Sequence, residues 1–381
     1  MPGVPRGTLL SEAVESSMRR LQKTSLDLSF NELMDMHKQE PPELDIDPAY
    51  QRLFRWSTAT QSRFVETLLL EMPVPPIYVV EEEESRYTLI DGLQRVSTYL
   101  HLRGELEASY RDPPIKLGDK LKLDGCDIVP NLNGLTFDDL DTSLQIKLKR
   151  AFIRVEVIRR GSDPRFRYHM FKRLNTGGIP LTDQQVRNCT IRLLSPVFID
   201  FIKRLSTEKD FRVCISNITQ EQQLGAQDEE LVLRFFALKN HRAAFRHEIG
   251  DFLTDYMEKV SDTVAPLGFD YPGEEANFRK TFAVLATTLG EDSFAYADKR
   301  TRQLRNSFGI YHYEAITQGL QSCLDSLDIG DASRLRQLKQ VLSQMKLESA
   351  FITMTTGGGK NSPGQLKKRI AYVESYLGPR L

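Results

Sequence analysis

Cysteine is scarce in this 381-residue chain, and the four that occur are scattered. Cys126, Cys189, Cys214 and Cys323 share no paired spacing, which excludes a zinc cage or a disulfide framework and suits a reducing cytoplasm. No apolar run reaches bilayer length, and the opening MPGVPRGTLLSEAVESSMRR has no apolar centre of the signal-peptide kind, so no membrane span or secretion signal is expected. Neither sign of charge dominates: 51 Lys and Arg stand against 52 Asp and Glu, so an argument for nucleic acid or membrane must rest on local patches. The six histidines, His37, His101, His169, His241, His247 and His312, are scattered, and the pair His241 and His247 lacks both a zincin spacing and acidic or Asn partners. A self-contained metal nuclease is therefore disfavoured. Internal repeats and low-complexity tracts are absent.

Local patches do occur. Between Lys147 and Arg173 lie ten basic residues, among them Arg154, Arg159, Arg160, Arg165 and Arg167, against only Glu156 and Asp163. Acidic residues gather earlier, from Asp27 to Asp47. Runs of this kind are more often solvated faces than binding sites.

Pattern along the chain predicts a partly helical arm over 1–42, stopped by Pro41-Pro42, and order from Leu44 onwards. Thr58 and Gln61 have the spacing of a capping box for a helix whose apolar face is Phe64, Val65, Leu68, Leu69 and Met72. Ile77 to Val80 is a strand, joined through the acidic Glu81 to Glu84 to a second one ending at Ile90. Residues 112–140 read as an irregular excursion with short strands, and Phe152 to Ile158 alternates as a strand with one buried face. A helix starting at Asp163-Pro164 would stop at Asn175-Thr176-Gly177-Gly178, and Thr182 with Gln185 caps the next. From Val186 onwards the periodicity is helical almost throughout. The expectation is an α+β protein, with a mixed N-terminal domain over 43–190 and an α-helical domain over 191–381.

The most telling stretch is YTLIDGLQRVSTYL, Tyr87 to Leu100, where a strand runs through Asp91-Gly92 into a helix carrying Arg95 in its first turn. Unpaired helix amides, the positive end of the dipole and an arginine fork together suit a phosphate, and glycine lets a ligand come close. Such short motifs are common without any ligand. Other local signals accompany it: Tyr50-Gln51-Arg52 with Trp56, the Pro73-to-Pro76 strand entry, and Phe171 to Gly178 leading to Arg187-Asn188.

In order and spacing these signals resemble the DGQQR-type domain at the N-terminus of GmrSD-like modification-dependent restriction enzymes and related phage-defence proteins, usually described as ParB-like. The likeness runs from about Leu44 to Met257, taking in Asp228 to Phe236. It implies a ParB/sulfiredoxin-like core that binds a nucleoside triphosphate (ATP, GTP or CTP) with Mg²⁺, hydrolysis in some members, and coupling to DNA restriction. Asp91, Gly92, Gln94 and Arg95 occupy the signature, and Leu93 stands where the family usually has glutamine.

On that resemblance Asp91, Gln94 and Arg95 are the catalytic candidates. Arg95 would clamp phosphate oxygens, Asp91 would hold Mg²⁺ or orient water, and Gln94 would position that water or a ribose hydroxyl. Gly92, Arg173, Asn175, Gln51 and Arg52 complete the nucleotide-binding set, Gln51 and Arg52 with DNA phosphates as the other possibility. Each has a plainer alternative: Asp91 as a helix cap, Trp56 as core, Asn175 to Gly178 as a helix stop. Phe351 to Lys360 fails the phosphate-loop pattern, because Met354 replaces its first glycine and Asn361 its Ser or Thr. The expected function is a cytoplasmic, NTP-binding sensor or motor of a DNA-targeting defence system. Its partners would be DNA, modified or not, and a nuclease on another chain, with the oligomeric state open. The alternative is a non-catalytic interaction module that keeps the fold without turnover.

Overall fold

The computed structural model describes residues 10, 14, 22–46, 54–83, 85–162, 182–192, 194–246, 248–262, 265–298, 301 and 303–380. The chain divides into two compact units, Met1–Pro180 and Leu181–Leu381.

The first unit is built on five strands: β1 (Lys23–Ser29), β2 (Leu44–Asp45), β3 (Ile77–Glu83), β4 (Arg86–Asp91) and β5 (Phe152–Ile158), in the order β1-β5-β3-β4-β2. β1 is antiparallel to β5 and β3 to β4, whereas β3–β5 and β2–β4 are parallel. Alternation puts Ile77, Val79, Leu89, Ile153, Val155 and Val157 on one face. Against that face pack α1 (Phe30–Lys38), α2 (Thr58–Leu69), α3 (Leu93–Arg103) and α4 (Thr142–Arg150). Phe30 stacks on Tyr99 and meets Phe64 edge-on, which ties three of these helices together.

Several sequence expectations change here. The segment expected as an arm supplies β1, an edge strand of the sheet, and α1, whose Phe30, Leu33 and Met34 are buried in the core. The cap of α2 is Ser57, which accepts from Thr60 N–H. Gln61 instead donates to the Trp56 carbonyl and bonds His101, while Met72 is exposed. Over 112–140 the chain is irregular, but without the expected strands: it makes one isolated bridge, Ala108 to Ile115, and two short 3-10 turns. The buried Glu66 carboxylate anchors this excursion by accepting from Ile128 and Val129 N–H at 3.0 and 2.6 Å. α4, not anticipated, is capped by Asp141.

The second unit is mainly helical: α5 (Asp183–Arg192), α6 (Pro196–Ser206), α7 (Lys209–Cys214), α8 (Gln220–Leu224), α9 (Gln227–His241), α10 (Ile249–Ser261), α11 (Tyr271–Thr288), α12 (Ile310–Gly319), α13 (Ala332–Leu347), α14 (Ser349–Thr355) and α15 (Pro363–Leu377), with one hairpin of β6 (Ala295–Ala297) and β7 (Leu304–Phe308). Thr182 and Gln185 do bond reciprocally at the start of α5. The helical run read from Val186 onwards is broken after Arg192, because Pro196 occupies a first-turn position and Ser195 before it is extended. The core of this unit holds a line of buried charge. Glu230 accepts from Arg187 (3.2 Å) and Arg234 (2.7 Å), and Glu314 accepts from Arg234 (2.6 Å) and Arg369.

Candidate functional site

β4 ends at Asp91, Gly92 turns the chain, and α3 starts at Leu93. The turn depends on glycine for packing as well as for conformation. At φ +109 a Cβ on Gly92 would lie 2.2 Å from Ile77 Cγ2, so β3 occupies the space beside it. Gly92 is also the N-cap of α3, and no side chain caps that helix. Asp91 is thus not the cap.

The direction of Asp91 is set by the strand register. Tyr78 pairs with Asp91 but Val79 pairs with Leu89, so Ile90 is an extra residue in β4. Leu89 belongs to the core, and strict alternation would send Asp91 the same way. The bulge turns it onto the opposite face, in one lateral row with Tyr78, Glu156 and Ser25. There Arg95, one helical turn on, donates from Nη2 to the Asp91 carboxylate at 2.9 Å and to the Pro76 carbonyl at 3.1 Å. The Asp91 side chain is 33% exposed and that of Arg95 16%, and Arg95 Nε is buried without a partner. Desolvation, then the charges of Glu156 and Asp91, raises the Tyr78 phenol above its ordinary value and keeps it a hydrogen-bond donor.

Gln94 plays a part that its position in the motif did not suggest. Its Oε1 accepts from Arg55 and Trp56 N–H at 2.9 and 3.1 Å, so the oxygen expected to orient water or a ribose hydroxyl holds the entry to α2. Arg111 completes this clamp, lying over the Phe54 ring and donating to the Trp56 carbonyl. Trp56 is half-buried against the core and edge-on to Phe64. Leu93 is likewise packed against the core. Gln51, Arg52, Arg173 and Asn175, together with the helix expected from Asp163 to the Asn175–Gly178 stop, lie outside the described residues.

Among the described residues of the basic stretch, half of the cations are neutralised. Lys147 pairs with Glu71, Arg154 meets Asp27 through both ends of its fork, and Arg159 pairs with Glu81. Lys149, Arg150 and Arg160 have no carboxylate partner among the described residues. In the Gly357–Gly359 loop the Lys360 amine bonds the Thr353 carbonyl and its own carbonyl accepts from Arg369, which makes the segment an internal connector. Among the described residues no group of three or more His, Cys, Asp or Glu could hold a metal, and no helix is long and apolar enough to cross a membrane.

Residues 30–192, which include the whole strand–turn–helix and its neighbours on the sheet, match the family model described as GmrSD restriction endonuclease, N-terminal domain. The chain carries a GmrSD-type N-terminal domain. That match begins ahead of Leu44 and takes in α1, and it stops short of the expected Met257. No curated protein and no solved structure matches the chain. The GmrSD-type domain links the protein to a restriction and defence family, and its sheet together with the helical second unit makes the chain α+β.

Proposed function

We propose that the GmrSD-type domain binds a nucleoside triphosphate at Asp91–Arg95 and uses it to control DNA engagement in a restriction or defence system. The observation that supports this most is the pairing of Asp91 and Arg95 on one face at the uncapped start of α3. A lone carboxylate beside an arginine fits a Mg²⁺ ion that arrives with phosphates, because Mg²⁺ takes one or two protein carboxylates and completes its shell from the ligand and water. Asp91 would hold that ion, which would neutralise charge on the phosphates. Arg95 would exchange Asp91 for phosphate oxygens, and the α3 amides would add the positive end of the helix. Among the described residues of the basic stretch, Lys149, Arg150 and Arg160 are the cations left for DNA phosphates, and cutting is assigned to a nuclease on another chain. Binding to DNA through these cations weakens with salt, with a slope set by the number of phosphates they meet.

The rival reading, a non-catalytic interaction module, has support of its own. Gln94 is engaged with backbone, Leu93 is apolar and core-facing, and Asp91 and Arg95 already satisfy one another. The test is binding and turnover of ATP, GTP and CTP with Mg²⁺, with and without DNA, for wild type and Arg95→Ala. The expected result is turnover by wild type and a loss of roughly 100-fold or more in the variant, whose Trp56 emission stays native. Binding without turnover would make the site a nucleotide-gated switch. Absence of both would put the interaction module first.

A further inference from the structure

Across the sheet face that carries Asp91, hydrogen-bonding groups are largely spoken for. Asp27 holds Arg154 through two bonds of 3.0 Å, Ser25 donates to Glu156 at 2.9 Å, and Asp91 holds Arg95. Tyr78 is the exception: it is half-buried, stands in register between Glu156 and Asp91, and its hydroxyl has no hydrogen-bond partner among the described residues. Direct cross-strand neighbours have Cβ atoms roughly 5 Å apart, so the phenol belongs to the same small area as the Asp91–Arg95 pair. The bulge at Ile90 that turns Asp91 onto this face creates the juxtaposition. A half-buried phenol that bonds no described residue is free to turn its O–H to an anionic oxygen held by Arg95.

We propose that Tyr78 is a ligand-contacting residue of this site, whose hydroxyl donates to a phosphoryl oxygen clamped by Arg95. This inference rests on the nucleotide-binding reading and extends it to a residue outside the strand–turn–helix motif. Flanking carboxylates raise the phenol further, so it stays protonated throughout the neutral range.

The test is equilibrium binding of ATP, GTP and CTP with Mg²⁺ to wild type, Tyr78→Phe and Arg95→Ala, with the corresponding nucleosides as phosphate-free probes. Tyr78→Phe keeps the ring and the packing, and Trp56 emission reports whether the unit remains folded. Loss of a bond to a charged acceptor predicts triphosphate binding roughly 10- to 100-fold weaker, with nucleoside binding unchanged. Triphosphate affinity within twofold of wild type would overturn the inference and leave the nucleotide site standing. An equal loss for nucleosides would place Tyr78 at the base or ribose and overturn the phosphate contact. Failure of the wild type to bind any nucleotide would remove both.

Discussion

Replacing Gly92 by alanine should destabilise the first unit by about 2–5 kcal/mol. Two separate costs enter. A side-chain-bearing residue at φ +109 departs from its favoured regions by about 1–2 kcal/mol. The added methyl would also sit 2.2 Å from Ile77 Cγ2 and 2.8 Å from Ile77 Cβ, an overpacking that costs roughly 1–3 kcal/mol. Ile77 has little freedom to retreat, since it is fully buried at the start of β3 and that strand is hydrogen-bonded to β4 on one side and β5 on the other. The assay is urea unfolding followed by the fluorescence of Trp56, the only tryptophan, which packs within this unit. Adding Ile77→Ala separates the two costs: it opens its own cavity, but the double variant should be more stable than the sum of the single effects by about 1–3 kcal/mol. A Gly92→Ala protein within about 0.5 kcal/mol of wild type would refute the packing argument. If that protein also lost nucleotide binding, the glycine would serve close approach of a ligand.

Glu314→Gln should cost the second unit about 3–5 kcal/mol in denaturant unfolding by circular dichroism, because Arg234 and Arg369 would share a buried site with their common carboxylate gone; a neutral result would mean that the arginines find water. Acid should weaken the same unit through His312. Burial, with Lys346 adding to it, holds this imidazole down to about 3, so between the ordinary 6.5 and that value the unfolded chain binds the proton and the folded one does not. Stability contributed by neutral His312 is complete above pH 6.5 and falls as pH drops, by about 3 kcal/mol at about pH 4.5. His312→Gln should flatten that slope in thermal unfolding followed across pH, and an unchanged slope would assign it elsewhere.

Elements with strong periodicity were legible in the sequence: β3, β4 and β5, and the main helices of both units. β1 escaped because its alternation rests on Leu26 and Leu28 alone, as an edge strand needs little more. α4 escaped because one residue, Leu148, carries its burial. Within the site, the motif singled out Asp91 and Arg95, but in separate roles, and their ion pair emerged only from the structure. The work of Gln94 was not legible, since its partners lie 39 and 38 residues earlier in the chain. Nor was the bulge, because a register belongs to two strands at once and neither sequence declares it.

That extra residue gives β4 a parity. Inserting one residue between Leu89 and Asp91 would send the carboxylate into the apolar layer with Val79, while leaving composition almost untouched, whereas removing Ile90 would only straighten the ladder and leave Asp91 opposite Tyr78. Chains that share this sheet can therefore drift widely in side chains along the strand, yet one further residue there would trade the polar face for a defect in the core.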